Sequence, residues 1–151
     1  MIELKKIDRS NYEECINLKL EANQLKHVAN NILSLVQSAY EENFYPLGIY
    51  NEKKMVGFIL YDFDTEVKGW SMSRFMIDKN YQNQGLGTKA LQKFLEFFKE
   101  NYKDEKLYTS ASLDNLQAIK LYEKFGFIKK DIFEYEINGE KFKEIRMILD
   151  I

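Results

Sequence analysis

Two short stretches of this 151-residue chain combine residue types and spacings that could do chemistry. The first is Gln82-Asn83-Gln84-Gly85-Leu86-Gly87-Thr88, between a strand-like segment that ends near Ile77 and the strongest helical pattern of the chain. Glycines at a helix start let backbone N–H groups approach a ligand closely, and the first-turn amides with the helix dipole favour an anion such as a pyrophosphate. Taken alone, the pattern equally describes a turn that needs glycine's freedom. It lacks the further glycines of a dinucleotide fingerprint and the Gly-Lys-Ser/Thr of a nucleoside-triphosphate loop. The second stretch runs from Asn115 to Phe127. Asn115 and Tyr122 are nearly two helical turns apart, so their side chains point the same way to within roughly 20°. They could share one ligand, although Tyr122 by itself also fits a half-buried aromatic on a packing face.

The elements that must position these residues follow from hydrophobic period. Ile2, Leu4 and Ile7 alternate as in a half-exposed first strand. Ser10, with Glu13 three residues on, reads as a capping box for a helix carrying Tyr12, Cys15, Ile16 and Leu20. Val28, Ile32, Leu35, Val36 and Ala39 predict a second amphipathic helix from about His27 to Glu41, and Pro46 closes the region. Leu47 to Tyr50 and Met55 to Tyr61 read as a hairpin around Asn51-Glu52-Lys53-Lys54. The second of these strands is apolar on both faces, so it must lie inside its sheet. A strand from Trp70 to Ile77 comes next. Leu86, Ala90, Leu91, Phe94, Leu95 and Phe98 make a wide stripe on a helix from Gly85 to about Glu100. A strand follows over Leu107 to Ser112, then a helix from Asp114 to Phe125 stopped by Gly126. Two last strands, near Phe127–Glu136 and Phe142–Leu149, join at Asn138-Gly139, a hairpin signal. The order βααβββαβαββ predicts an α+β, three-layer αβα domain with a mixed sheet between helices.

Composition narrows the function classes. The length fits one domain spanning residues 1–151, with no linker or repeat to divide it. With 45% hydrophobic and 30% charged residues the chain should bury a proper core. Twenty-two basic against 24 acidic side chains give a net charge of −2, which argues against a broad nucleic-acid footprint. One cysteine and one histidine exclude an internal disulfide and leave no Cys/His zinc set. Neither a secretory leader nor an apolar run of about 18 residues is present, so a cytoplasmic protein without a membrane partner is expected.

The glycine turn with the later segment Asn115-x-x-Ala118-x-x-Leu121-Tyr122-Glu123-Lys124-x-Gly126-Phe127 resembles the GCN5-related N-acetyltransferases, and the element order agrees over nearly the whole chain. The resemblance implies the fold of that family, with a mostly antiparallel sheet. It implies acetyl-CoA as co-substrate, its pyrophosphate on the amides of Gln82, Asn83, Gln84, Gly85, Leu86, Gly87 and Thr88. The pantetheine arm would pair like an extra strand with Phe75, Met76 and Ile77, and a backbone N–H of that strand would steady the oxyanion. Asn115 would contact the arm and Tyr122 would protonate the departing thiolate, the amine attacking directly without a covalent enzyme intermediate.

A finer likeness, to bacterial spermine/spermidine acetyltransferases, rests on three groups of residues. These are Trp70 with Arg74-Phe75-Met76-Ile77-Asp78 before Tyr81-Gln82, Val28-Ala29-Asn30 with Ser34, and Tyr45-Pro46-Leu47. It implies a polyamine such as spermine or spermidine as acceptor. Ser73-Arg74 departs from the animal diamine enzymes, which carry acidic residues there. A protein, peptide or aminoglycoside amine stays open, as does a silent acyl-CoA sensor. An ammonium must lose a proton before it attacks. His27 titrates in the right range but stands where a cap or surface residue is ordinary. Asp62, Asp64 and Glu66 alternate after the central strand, and Glu21 lies between the first two helices, which in this family border the acceptor cleft. Each could bind an ammonium, and each is equally an ordinary solvated charge. Cys15, on an apolar stripe, reads as a buried structural thiol. A homodimer through the C-terminal strands is the assembly implied.

Overall fold

The computed structural model describes residues 1–22, 30–137 and 139–150. Their order is β1 (Ile2–Lys6), α1 (Tyr12–Ile16), α2 (Asn31–Tyr40), β2 (Phe44–Asn51), β3 (Lys54–Asp64) and β4 (Gly69–Ile77). Then come α3 (Leu86–Asn101), β5 (Leu107–Ser112), α4 (Leu116–Lys124), β6 (Ile128–Ile137) and β7 (Glu140–Leu149). The element sequence is the predicted one. One seven-stranded sheet runs β1-β2-β3-β4-β5-β7-β6, antiparallel except for β4 against β5.

β3 lies inside the sheet, and its apolar residues divide between two cores. On one face Ile59 and Tyr61 meet Ala90, Leu91, Phe94 and Phe98 of α3 and Ile119 and Tyr122 of α4. On the other, Phe58 and Leu60 join Tyr50, Met55, Met76 and the fully buried Cys15 of α1. Helices therefore cover both faces, as the expected three layers require. The larger core is aromatic, with Trp70 and Tyr102 rings 4.3 Å apart and Phe98 stacked on Tyr102 at 5.0 Å.

Three local readings are corrected. Ser10 does not cap α1: its hydroxyl donates to Asp8 Oδ1, and Asn11 is the N-cap, with no side-chain bond to the helix. In α2 the described residues begin at the cap Asn30, whose Oδ1 accepts from Leu33 N at 2.7 Å. This helix turns Asn31 and Ser34 inward and leaves Ile32 and Val36 about half exposed, because Asn31 Nδ2 donates to the Cys15 carbonyl at 3.0 Å and fixes the docking face. Pro46 does not end an element but lies within β2 opposite Leu60. Pairing with β1 begins only at Leu47, and the missing N–H falls at that open margin.

Candidate active site

β4 and β5 pair through only three positions, Trp70↔Leu107, Ser71↔Tyr108 and Met72↔Thr109. Immediately beyond, Leu60 faces Arg74 while Tyr61 faces Met72, so Ser73 is an extra residue in β4. Such a bulge bends its strand, and here β4 parts from β5. The gap opens into a cleft of about 1520 Å³ whose lining comes from both faces of the sheet.

On the α3/α4 face the cleft reaches Gln82, Asn83, Gly85, Leu86, Gly87 and Thr88. Gly85 is the N-cap of α3 in the left-handed region, φ +78°, and offers no side-chain bond to the helix. The first-turn amides have no partner within the helix either. A Cβ built at Gly85 would meet nothing within 4 Å, and one at Gly87 only Ile77 Cγ1 at 3.8 Å. The space above the turn is thus open to an anionic group, which is the fit a pyrophosphate requires. Gln82 holds the approach, its Nε2 donating to the Ile77 carbonyl at 2.9 Å. Buried Asp78 accepts from Asn80 N at 2.9 Å and Lys19 N at 2.8 Å, tying the loop to the segment after α1. Gln84 is not among the lining residues, whereas Phe75, Met76 and Ile77 are.

Asn115 and Tyr122 both line the cleft. Asn115 is the N-cap of α4, its Oδ1 accepting from Ala118 N at 3.3 Å. Tyr122 is buried, and Thr109, on the same face of the sheet, is buried too and donates to the Met72 carbonyl at 2.9 Å. Burial pushes its phenol up to about 12, and the negative charge of Glu144 acts in the same direction. At neutral pH it keeps its proton.

On the opposite face stand Gln37 of α2, Arg74 of β4, Ser110 of β5, Tyr135 of β6 and Glu144 of β7. Ser110 Oγ donates to Glu144 Oε1 at 2.7 Å, and Tyr135 Oη donates to Glu144 Oε2. Burial raises the Tyr135 phenol. Arg74 donates to the Ser73 carbonyl at 2.9 Å and to Gln37 Oε1 at 3.4 Å, while its buried Nε has no partner. Burial holds this guanidinium below its ordinary value.

The acidic expectations separate. Asp64 and Glu66 line the cleft. Asp62 does not: it is 5% exposed and accepts from Ser73 Oγ, and burial lifts its carboxyl to about 6. Glu21 is exposed and outside the lining, which Leu20 reaches instead. His27 lies outside the described residues. Cys15 is buried, its thiol pushed up to about 12, so it is not a thiolate nucleophile at neutral pH. Among the described residues no group of three or more His, Cys, Asp or Glu is placed to hold a metal ion, and no helix is long and apolar enough to cross a membrane. Sequence reasoning missed Ser110, Thr109, Tyr135 and Glu144. Alternation puts Phe142, Glu144 and Arg146 on one face of a strand, but only the pairing of β5, β7 and β6 shows that this face borders the cleft.

Residues 4–127 match the model of the acetyltransferase (GNAT) family. The chain belongs to the acetyltransferase (GNAT) family. A probable spermine N(1)-acetyltransferase of Bacillus subtilis subsp. natto (strain BEST195) is 35% identical over 93% of this chain and 95% of its own length. The spermine/spermidine N(1)-acetyltransferase of Bacillus subtilis (strain 168) is 34% identical with the same coverage. Among solved structures, the spermidine N-acetyltransferase of Vibrio cholerae in complex with CoA and spermine superposes with a TM-score of 0.77 at 17% identity. That match covers 99% of this chain and 95% of the other, and it establishes the shared fold. This acetyltransferase uses acetyl-CoA as co-substrate and transfers the acetyl group to an amine nitrogen.

Proposed function

We propose that this acetyltransferase acetylates a primary amine of spermine or spermidine. The observation that carries the reading is the excess of carboxylates over cations in the cleft lining. Asp64, Glu66 and Glu144 are among them, while Arg74 is turned to the Ser73 carbonyl and Gln37 and Arg146 is already held by Asp131 at 2.8 Å. A polycation gains from such a lining in both encounter and register. The 34–35% identical relatives named for spermine support the same acceptor.

In this reading the bare amides of residues 85–88 take the pyrophosphate of acetyl-CoA, and residues 75–77, beyond the last β4–β5 pair, receive the pantetheine arm as an added strand. Asn115 contacts that arm. The thioester then lies in the gap between β4 and β5, where a backbone N–H of residues 75–77 steadies the oxyanion and Tyr122 gives its proton to the departing thiolate. Holding amine and thioester in one gap supplies much of the rate. Asp64 and Glu66 lie about 13 Å along β4 from the split, by strand rise, and there bind a distal ammonium of the extended acceptor. Two copies pair through the C-terminal strands, where edge strand β6 exposes Ile128 and Ile132. The lone buried thiol and the use of acetyl-CoA suit a cytoplasmic setting.

Thiol release from acetyl-CoA with spermine, spermidine, putrescine, lysine peptides and aminoglycosides tests the acceptor. Turnover confined to the polyamines is the expected result. Preference for a peptide or aminoglycoside amine would overturn the polyamine reading, and acetyl-CoA binding without turnover on any amine would point to a sensor.

A further inference from the structure

Glu144 faces the cleft from β7, held by hydroxyls of the two strands beside it. Consecutive residues of a strand face opposite sides of a sheet. At the last β4–β5 pair, Thr109 shares with Leu107 and Ala111 the face that packs with Tyr122, while Ser110, the next residue, turns to the other face and donates to Glu144. Tyr122 and Glu144 thus stand on the two faces of the sheet at the gap. Of the other carboxylates that line the cleft, Asp64 and Glu66 stand where β3 turns into β4, Asp114 accepts from Ser112 Oγ, Glu134 is paired with Lys143 at 3.2 Å, and Glu140 begins β7 at the far end of the hairpin. Each Glu144 oxygen accepts one hydroxyl proton, so the carboxylate is fixed in orientation and retains further lone pairs for a ligand.

Resting on the polyamine reading, we infer that Glu144 binds the reacting ammonium and takes the proton it must lose before attack. Ser110 and Tyr135 are its positioning residues. The protons balance as follows. R–NH3⁺ gives one proton to Glu144, and the freed lone pair forms the C–N bond to the thioester carbon. The C–S bond breaks, and Tyr122 protonates the thiolate. The second nitrogen proton returns to the Tyr122 phenolate, and Glu144 releases its own to solvent through the cleft. The net change is one ammonium and one thioester to one amide, one thiol and one proton. The charged and titratable groups that face Glu144 are Arg74 from β4, Tyr135 from β6 and Tyr122 from α4, with Arg146 on the same face of β7, its guanidinium held by Asp131 of β6 at 2.8 Å.

The test is E144Q, which keeps shape and hydrogen-bond capacity but removes the charge. The expected result is a loss on the order of 100-fold in kcat/KM for spermidine near neutral pH, with acetyl-CoA affinity by calorimetry unchanged. The deficit should shrink as pH approaches the amine's own pKa near 10, where solution delivers the free amine. A purely structural role would leave the deficit constant with pH. Y135F, which keeps the carboxylate and loosens it, should cost less, about 3- to 10-fold, with the same pH trend. Wild-type rates in E144Q, or a deficit that does not change with pH in both variants, would overturn the inference. A wild-type enzyme that ignores polyamines but acetylates another amine would refute the acceptor reading instead, and the two variants are then compared on that amine.

Discussion

Replacing Asp62 by Asn should stabilise this enzyme, and the gain should depend on pH. Asp62 is 5% exposed, and burial lifts its carboxyl from the ordinary 3.8 to about 6 against the opposing effects of the Ser73 hydroxyl and Arg74. For an acid whose folded pKa is raised, the folded state binds the proton more tightly. Its stabilising effect is then complete below 3.8 and is lost as pH rises through about 6. At pH 8 the folded chain carries a buried carboxylate that costs about 3 kcal/mol at most, from 1.36 kcal/mol per pKa unit. Local relaxation and residual solvent screening bring that to about 1.5 kcal/mol. Asparagine is close in shape to the protonated acid and can still accept from Ser73 Oγ. The expected outcome is a melting temperature about 3–6 °C higher than wild type at pH 8, falling to no difference near pH 4. Calorimetric or fluorescence melts at pH 4, 6 and 8 measure it. Destabilisation at pH 8 would show that the Ser73 hydrogen bond and the attraction of the Arg74 charge outweigh burial, and an equal gain at every pH would show that ionisation of Asp62 is not its source.

The remaining predictions concern the two ends of the cleft and the buried thiol. Tyr122→Phe removes a proton donor but little contact area, so acetyl-CoA affinity should hold while kcat falls on the order of 100-fold; unchanged turnover would reject Tyr122 as the acid. Gly87→Leu has room at its Cβ, 3.8 Å from Ile77 Cγ1, and replaces a helix glycine, so the fold should keep or gain stability. Its side chain enters the space above the first turn, and acetyl-CoA affinity should drop at least about tenfold, or 1.4 kcal/mol, by titration calorimetry. Native protein should leave Cys15 unmodified by a thiol reagent at pH 8 and react only once unfolded; rapid native labelling would contradict its burial.

The glycine turn and the Asn115–Tyr122 helix that border the cleft were legible because each is built locally. A glycine-rich turn needs only its own backbone and the helix it starts, and Asn115 and Tyr122 sit on one short helix with its cap. The element order was legible for a similar reason, since the period changes from 3.6 to 2 wherever the chain passes from helix to strand. The opposite face of the cleft draws one residue each from α2, β4, β5, β6 and β7. No spacing announces that Ser110 will meet Glu144, because that contact exists only once β7 inserts between β5 and β6. The exposed stripe of α2 failed for a related reason. Periodicity ranks Ile32 and Val36 as core, but a single bond from Asn31 to the Cys15 carbonyl decides which face turns inward.

A sheet parted in its middle should tend to close, because the strand edges on either side of the gap leave backbone groups unpaired and β pairing would satisfy them. Two features oppose closure here. Ser73 puts β4 out of step with β3, so residues 74–77 diverge from β5, and Thr109 Oγ1 donates to the Met72 carbonyl at 2.9 Å at the last joined pair. On the other bank, Glu144 accepts from β5 and β6 at once and stiffens the three C-terminal strands as a unit. The same bulge that opens the gap turns Ser73 onto Asp62 and leaves Arg74 Nε buried without a partner. The stability sacrificed at Asp62 and Arg74 is therefore local to the split in the sheet. That is why the Asp62→Asn gain should come with the cleft intact, whereas substitutions at Ser73 itself should relax β4 toward β5 and reduce acetyl-CoA binding along with turnover.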